Sequence, residues 1–381
     1  MSDANSDDNP HSVNSISRLE NLNVAIISDA APGRNGVGTF YADLLQHLES
    51  RVKRIKLLCP TIEKNGKWNA GLVLPLPGDA TQKLCMPNPF SLQRQLGEIK
   101  PDIVILATPG VYGLLGAFLA GRMKIPAIAG FHTSFEELTR LYWNNSAAGQ
   151  VVHSYFKVSN NYLFKSCRLV LANSEAMVQQ AEQLNAPATE LISTLISPLF
   201  TDTPLRPYAG EFKRVLFAGR LAPEKNIDTI IQAAEKMPQV AFSFAGDGPL
   251  REQLDSAANS HKNIKTLGWL NRDKLREQID QHDCLVLPSH FESFGTIALE
   301  AMARQRLVVV SSHCGIADSP AHSDGLYIMN NASLHAVLEN IAAQSPELRI
   351  LKAKIALKIT QALNEKSLNH WSEVFCRIIS R

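Results

Sequence analysis

The stretch Glu292–Glu300, with the sequence ESFGTIALE, places two carboxylates eight positions apart around a Gly-Thr step. The step opens an apolar run that continues to Met302, and this pattern predicts a helix that begins near Gly295. Along one continuous helix, an eight-residue offset turns the second carboxylate roughly 80° away from the first. We therefore place Glu292 in the preceding loop and Glu300 two turns down the helix, with both facing one ligand.

The start of this helix has the features of an anion site. The backbone N–H groups of Phe294, Gly295 and Thr296 lack partners within the helix, and the helix dipole favours negative charge beside them. Two carboxylates nearby accept hydrogen bonds from hydroxyl groups, so the stretch suits a sugar attached to a diphosphate. A solvated acid in the loop and a surface acid on the helix would produce the same spacing, and the stretch alone leaves both interpretations open.

Size and composition favour a globular protein of two domains. The chain has 381 residues, which is long for one domain and comfortable for two. Its 38 basic residues nearly balance 36 acidic ones, so no nucleic-acid partner is indicated. Six scattered cysteines without a C-x-x-C pair fit reduced thiols in a cytoplasmic protein. The first twenty residues are polar, and we expect a disordered tail there and no signal peptide.

One uncharged stretch, residues 103–121, is nominally long enough to span a bilayer. Pro109-Gly110 interrupts it after the β-branched run Ile103–Ala107. A buried parallel strand, a turn and an apolar helix explain the pattern better than a transmembrane segment.

Short apolar strands alternate with helices along the chain, which predicts two parallel sheets with ligands bound at the C-terminal ends of their strands. The first unit is a strand at 24–28, a glycine-containing loop and a helix from about Thr39 to Leu48. Further strands are expected at 55–58, 103–107, 127–130, 168–172, 214–218, 241–245, 264–267, 284–287 and 307–311, and helices of the second half at 227–236, 249–258, 272–280 and 295–304.

Prolines and small polar residues around 197–207 mark a linker between the two series. Near the end of the chain, Trp371, Val374, Phe375 and Ile378 form an i, i+3, i+4, i+7 stripe on a helix. We divide the chain into a tail at 1–20, an N-terminal domain at 21–200, a linker at 201–212, a C-terminal domain at 213–360 and a last helix at 361–381.

Several motifs in a fixed order carry a resemblance to a known family. They are Gly219–Asn226 (GRLAPEKN), Gly246–Pro249 (GDGP), Gly268–Leu270 (GWL), Leu287–Ser289 (LPS) and Glu292–Glu300. In this order they resemble the retaining nucleotide-sugar glycosyltransferases of family 4, over about residues 22–318 and the last helix. The resemblance implies an α/β fold of the GT-B type: two facing Rossmann-like, doubly wound domains, with a C-terminal helix that crosses back to the N-terminal domain.

The resemblance also assigns roles to charged residues. Arg220 and Lys225 follow a strand and correspond to a basic clamp for the diphosphate, where they stabilise the leaving nucleoside diphosphate. Glu292 is expected to bind hydroxyls of the transferred sugar, and Glu300 the nucleotide ribose. Two solvated loop cations are the alternative for the clamp. The adjacent Glu224 could pair with Lys225 or orient it.

The N-terminal half contributes His132, which follows the strand at 127–130. By resemblance it contacts the transferred sugar and helps to accommodate the positive anomeric centre; a structural histidine is the alternative. Gly36 and Gly38 permit close backbone approach at the first loop, which in the family abuts the donor phosphates. They do not make a dinucleotide fingerprint, because Tyr41 stands at the position of its third glycine.

Five further residues are expected to frame the nucleotide base and ribose. They are Gly246, Asp247, Gly248, Trp269 and Leu270, although Asp247 could equally cap a helix that starts at Pro249. No D-x-D sequence occurs in the folded region, so we expect no bound metal ion and no cofactor. The helix dipole and two cations are expected to interact with the diphosphate in place of a metal ion.

The sequence departs from the family beside this site. After Glu300 the family has a glycine and a proline, but Arg304–Leu307 (RQRL) lacks both. Only Gly315 remains of a glycine pair, and Asp318 stands where a glutamate is common. These departures concern the geometry of the donor-side loops, and they motivate a rival function as a non-catalytic subunit that binds sugar nucleotides.

Features of the acceptor half resemble the branch with sulfoquinovosyl-, galactosyl- and mannosyltransferases of glycolipid synthesis. They include Leu74–Pro77, Thr108–Gly113 and Phe131–Thr133. Two segments, Leu138–Tyr142 and Arg51–Lys56, are candidates for contact with a membrane surface, although core packing and solvated charge explain them equally well.

We therefore expect an enzyme that moves a hexosyl unit from a UDP-sugar or GDP-mannose to a lipid or glycan acceptor. It would be cytoplasmic, with a peripheral position at the inner membrane face as an option. A sugar transferase with a soluble acceptor is the alternative within enzymes.

Overall fold

The computed structural model describes residues 19–33, 36–62, 68–76, 79–133 and 147–380. Most of the expected tail and the segment Leu138–Tyr142 lie outside these ranges. No helix in the described part of the chain is long and apolar enough to cross a membrane.

The N-terminal sheet has six parallel strands in the order β10-β9-β8-β7-β1-β2. Its central strands are buried on both faces, as continuous apolar runs require. Two short antiparallel pairs, β3–β4 and β5–β6, are inserted after β2. The strands are β1 (Asn23–Ile27), β2 (Arg54–Leu58), β3 (Thr61–Ile62), β4 (Trp68–Asn69), β5 (Leu72–Leu76), β6 (Asp79–Met86), β7 (Ile103–Leu106), β8 (Ala127–Phe131), β9 (Leu169–Ala172) and β10 (Thr189–Leu191).

The C-terminal sheet repeats this plan with the order β13-β12-β11-β14-β15-β16, again all parallel. The doubly wound interpretation of both halves is thereby confirmed. The strands are β11 (Arg214–Ala218), β12 (Ala241–Ala245), β13 (Ile264–Gly268), β14 (Cys284–Leu287), β15 (Leu307–Ser311) and β16 (Tyr327–Met329).

Helices connect the strands, and the uncharged stretch 103–121 is a strand followed by a helix, as predicted. The helices are α1 (Gly36–Leu48), α2 (Pro89–Ile99), α3 (Val111–Arg122), α4 (Ala147–Lys165), α5 (Glu175–Gln183), α6 (Pro198–Thr201), α7 (Ile227–Lys236), α8 (Arg251–Ser260), α9 (Arg272–Gln281), α10 (Thr296–Ala303), α11 (Pro320–Ser323), α12 (Leu334–Ala343), α13 (Pro346–Gln361) and α14 (Leu363–Ile379).

The last helix, α14, crosses back to the N-terminal domain. Trp371, Val374, Phe375 and Ile378 are buried in one cluster with strands β1, β7 and β9. Arg168 closes the contact by donating from Nη1 to the carbonyl of Ile378 at 2.7 Å. The apolar stripe on this helix therefore holds the last helix of the chain against the N-terminal domain.

The linker is more ordered than its composition suggested, because two arginines bind its backbone. Arg304 donates to the carbonyls of Phe200, Thr203 and Pro204 at 2.7–3.2 Å, and its charge pairs with Asp280 at 2.8 Å. Arg306 donates to the carbonyl of Arg206 at 2.9 Å. These arginines belong to the stretch that departs from the family, so the departure anchors the linker.

Between them, Gln305 has a left-handed backbone with φ of 56°. It stands where the family has glycine, the residue that adopts this conformation without strain.

Candidate active site

The loops after β11 and β12 pack tightly together at the carboxyl edge of the C-terminal sheet. A Cβ atom on Gly246 would lie 1.8 Å from the carbonyl oxygen of Gly219, and one on Gly248 would lie 2.5 Å from that of Leu221. Asp247 is exposed, and its Oδ1 accepts from the N–H of Gly248 at 2.9 Å. The expectation that Asp247 caps a helix from Pro249 is wrong, because α8 begins at Arg251 without a side-chain cap.

The two predicted clamp cations lie on the loop after β11, each paired with a carboxylate. Arg220 Nη1 lies 3.2 Å from Glu224 Oε1, and the charge of Glu224 also helps to raise the pKa of Lys225. Lys225 Nζ donates to Glu292 Oε2. Burial, the largest single influence, lowers the pKa of Lys225, but the charge of Glu292, the hydrogen bond to Glu292 and the charge of Glu224 together outweigh burial, and the pKa is raised. Lys225 is therefore a charged ammonium at neutral pH.

Glu292 lies in the loop after β14, as predicted, and its backbone joins a second loop. Its N–H donates to the carbonyl of His313 at 3.1 Å, and its carbonyl accepts from Gly315 at 2.9 Å. Both loops touch the N-terminal domain: Phe291 packs against the apolar cluster of that domain, and a Cβ on Gly315 would lie 2.9 Å from Cβ of Ser174. The Lys225–Glu292 pair therefore lies beside the boundary between the domains.

Helix α10 begins at Thr296, which confirms the predicted helix start. Gly295 precedes it with φ of 100°, a left-handed conformation that favours glycine, and no described side chain caps the helix. Phe294 is buried and packs edge-on against His322. The role of this helix start as a phosphate site stays a prediction.

Glu300 has different partners from Glu292. It is 3% exposed, and its Oε1 lies 3.0 Å from Arg272 Nη2. The same nitrogen lies 3.1 Å from Oδ2 of Asp43, which α1 of the N-terminal domain supplies. Burial raises the pKa of Glu300 to about 7, with Arg272 lowering it and Asp43 adding to the rise. No contact among the described residues joins the two motif carboxylates directly.

Arg272 is held in place from two sides. It is the first residue of α9, which Asn271 caps by accepting from the N–H of Lys274 at 2.9 Å. Its guanidinium lies 5.0 Å from the ring centroid of Phe200 in the linker helix α6. The ion group of Asp43, Arg272 and Glu300 thus connects both domains and the linker.

On the N-terminal side, His132 immediately follows β8, as expected. It is 8% exposed, and its Nε2 lies 2.8 Å from the hydroxyl of Tyr41. Burial lowers its pKa to about 4, so the ring is neutral at pH 7. Its Nδ1 is buried without a hydrogen-bond partner in the described structure. An orphaned ring nitrogen at a strand end is available to a ligand.

The two glycines of the first loop have different surroundings. A Cβ on Gly38 would lie 2.2 Å from the carbonyl oxygen of Ala31, so this glycine lets α1 pack on its own loop. A Cβ on Gly36 would meet no atom within 4 Å in the described part of the chain. Trp269, after β13, is 57% exposed, whereas Leu270 is partly buried against the C-terminal core.

Sequence reasoning missed several residues of this region. Asp43 and Arg272 carry no motif, and they lie 229 positions apart. Asn173 has a buried Oδ1 without a hydrogen-bond partner among the described residues, and it follows β9 just as His132 follows β8, with Phe131 and Ala172 in register. The position directly after each parallel strand is the signal that would have found Asn173.

The sequence singles out Tyr41 only because it stands at the position of the third glycine of a dinucleotide fingerprint. Its hydroxyl reaches His132 because Gly130 has no side chain: a Cβ there would lie 1.8 Å from that oxygen. Tyr41 is fully buried, and it forms an edge-on pair with Phe40.

Two family descriptions match the chain in succession. "Glycosyltransferase Family 4" matches residues 34–197, and "Glycosyl transferases group 1" matches residues 207–370. The first match falls on the N-terminal sheet and the second on the C-terminal sheet, so together they span both domains.

Individual proteins resemble the chain more distantly. It is 26% identical over 231 residues to sulfoquinovosyl transferase SQD2 of Arabidopsis thaliana, an alignment that covers 59% of this chain and 45% of that protein. It is 24% identical over 361 residues to the alpha-monoglucosyldiacylglycerol synthase of Acholeplasma laidlawii, covering 86% and 89% respectively. The chain spans about half the length of several curated relatives it matches.

The fold also matches that of solved structures. HepE of Anabaena, in complex with UDP and glucose, superposes with a TM-score of 0.68 at 16% identity, over 92% of this chain and 99% of HepE. With two parallel-sheet domains matched in turn by the two family descriptions, the chain belongs to the glycosyltransferases of the GT-B type, with a family 4 domain in its N-terminal half.

Proposed function

We propose that the chain is a retaining, metal-independent hexosyltransferase. It moves a hexosyl unit from a UDP-sugar or GDP-mannose to a lipid or glycan acceptor, and works at the cytoplasmic side. The observation that carries the proposal is the Lys225–Glu292 pair, which lies at the carboxyl edge of the C-terminal sheet, one loop from Arg220 and beside the N-terminal domain.

The charges of Lys225 and Glu292 explain how the diphosphate would be bound. When a nucleotide sugar binds, its diphosphate competes with Glu292 for the ammonium of Lys225, because a flexible lysine reorients between anions. Arg220 offers a second cation, and the start of α10 offers backbone N–H groups. Charge that develops on the leaving diphosphate is then stabilised without a metal ion.

Glu292, once released from Lys225, accepts hydrogen bonds from hydroxyls of the transferred sugar. Glu300 binds the ribose while Arg272 holds its other side. Neutral His132 faces the sugar from the opposite domain and accommodates the positive anomeric centre through its lone pair. The binding site for the nucleotide is lined by Gly36, Gly246, Asp247, Trp269 and Leu270. Retention follows a front-face route in which the departing phosphate removes the proton of the acceptor hydroxyl.

A lipid acceptor is supported by the names of two relatives, a sulfoquinovosyl transferase and a monoglucosyldiacylglycerol synthase. A UDP-sugar donor is supported by the UDP and glucose bound to HepE. The departures at Arg304 and Arg306 have a structural role in anchoring the linker, which supports the enzyme over the rival of a non-catalytic subunit.

The test is a calorimetric screen of UDP-, GDP- and ADP-sugars, followed by transfer assays with the donor that binds. Assays with diacylglycerol in mixed micelles, with a soluble glycan and with EDTA separate the alternatives, and NMR of the product reports the anomer. We expect transfer to the lipid, an unchanged anomeric configuration and full activity in EDTA. Binding without hydrolysis or transfer to any acceptor would establish a non-catalytic subunit instead.

A further inference from the structure

Helix α4 of the N-terminal domain exposes an apolar stripe. Val151, Tyr155, Val158 and Tyr162 are 70%, 45%, 69% and 44% exposed. Their spacing of four, three and four residues places them on one face of the helix. The opposite face supplies Leu163 and Phe164 to the core. The stripe is therefore a second apolar face of a helix whose core contacts are already made.

The charges on α4 have one sign. Residues 147–165 contain no Asp or Glu, and Lys157 and Lys165 are exposed. Lys165 continues the stripe three positions after Tyr162, and Lys157 adjoins Val158. An apolar face with a basic rim and no acid complements a surface that is apolar beneath and negatively charged at its border.

The neighbouring helix also exposes an aromatic ring and basic residues. Helix α3 packs beside α4 and exposes Phe118 to 52%. Arg122 at its last position and Lys124 just beyond are exposed as well. An exposed apolar face with a charged rim, such as that of α4, marks an interaction site.

We propose that α4, through Val151, Tyr155, Val158 and Tyr162, docks the protein on an anionic lipid bilayer. The valines enter the acyl boundary, the tyrosines keep their hydroxyls at the headgroups, and the lysines contact lipid phosphates. The inference deepens the proposed function, because its choice of occupant rests on a lipid acceptor. The helix begins fifteen residues after His132 in sequence, so the docked helix belongs to the same half of the molecule as the proposed sugar site.

The test is co-sedimentation of the full chain with vesicles of phosphatidylcholine, with and without phosphatidylglycerol. We expect binding to the anionic vesicles that the double variant Val151→Gln/Val158→Gln weakens roughly tenfold. Lys157→Glu/Lys165→Glu should remove the preference for phosphatidylglycerol. The matched control is Leu348→Gln/Leu351→Gln, since these leucines of α13 are 49% and 54% exposed and should leave binding unchanged.

Three outcomes would overturn the docking surface: no vesicle binding by the wild type, loss of binding in the α13 control instead of the α4 variant, or a dimer that only the α4 variant dissociates. Hydrolysis of the nucleotide-sugar donor, measured without vesicles, separates this inference from the proposed function. If the wild type turns over donor but ignores vesicles, the docking surface alone is wrong.

Discussion

The two carboxylates of the stretch Glu292–Glu300 lie in different electrostatic environments. Glu292 is in a loop, a fifth of its side chain is exposed, and it pairs with one lysine of its own domain. Glu300 is on a helix, is almost fully buried, and shares Arg272 with Asp43 of the other domain. The difference teaches that one motif supplies both a carboxylate paired within its own domain and one that is fixed between the domains.

The cause of the difference is local. Gly295 adopts a left-handed conformation that separates the loop of Glu292 from the helix of Glu300. Helical periodicity therefore does not relate them, and each meets a different neighbour. A compact, flexible ammonium holds Glu292, whereas a planar guanidinium, stacked on Phe200, holds Glu300.

The largest expected effect is on the ion group of Asp43, Arg272 and Glu300, which connects the two domains. Arg272→Ala leaves Asp43 and Glu300 buried without their shared cation, and we expect the free energy of unfolding to fall by about 3–5 kcal/mol. Denaturant unfolding followed by circular dichroism measures this. Arg251→Ala is the control, because Arg251 and Asp255 form a more exposed pair whose loss should change stability by less than about 1 kcal/mol. Equal effects of the two variants would contradict a structural role for Arg272.

Loss of the Lys225–Glu292 pair should reduce catalysis more than it reduces the stability of the fold. Lys225→Ala removes a cation from the leaving diphosphate. We expect kcat/KM to fall more than a hundredfold, which corresponds to a loss of about 3 kcal/mol of transition-state stabilisation. Steady-state transfer with the donor found in the screen measures it. Lys213→Ala is the control, since that exposed lysine pairs with Glu211 away from the Lys225–Glu292 pair. A wild-type rate in Lys225→Ala would remove the clamp from the mechanism.

The buried carboxyl should also make stability depend on pH. The folded-state pKa of Glu300, about 7, lies above its ordinary value of 4.5 because of burial, so the folded chain holds this proton more tightly. The resulting stabilisation is fully present below pH 4.5 and is lost as pH rises through 7. Relative to Glu300→Gln, the unfolding free energy of the wild type should fall by roughly 2 kcal/mol from pH 5 to pH 8. Parallel pH profiles would show that Glu300 stays ionised throughout.

The sequence predicted those parts of the molecule that depend on local pattern. Buried parallel strands such as Ile103–Leu106 are apolar runs that only a two-sided core explains, and the start of α10 follows from Gly295 and the apolar run after it. The stripe of α14 likewise identified a helix with one buried face.

What could not be predicted depends on distant neighbours. The contact between Asp43 and Arg272 joins two helices of different domains, and no periodicity relates them. The hydrogen bond from Tyr41 to His132 depends on the missing side chain of Gly130. On α4, an apolar stripe alone does not reveal whether it faces core or solvent; the exposure of Val151 and Val158 required the packed structure.

The central claim is that Glu292 serves the sugar and Glu300 the nucleoside, and calorimetric binding tests it directly. UDP and UDP-glucose, or GDP and GDP-mannose if the screen selects them, are titrated into Glu292→Gln and Glu300→Gln. We expect Glu292→Gln to bind the sugar nucleotide about tenfold more weakly, a loss of about 1.5 kcal/mol, while its affinity for the bare diphosphate is kept. Glu300→Gln should weaken both ligands. Loss of diphosphate binding in Glu292→Gln with retention in Glu300→Gln would reverse the roles, and unchanged affinities in both variants would contradict the claim.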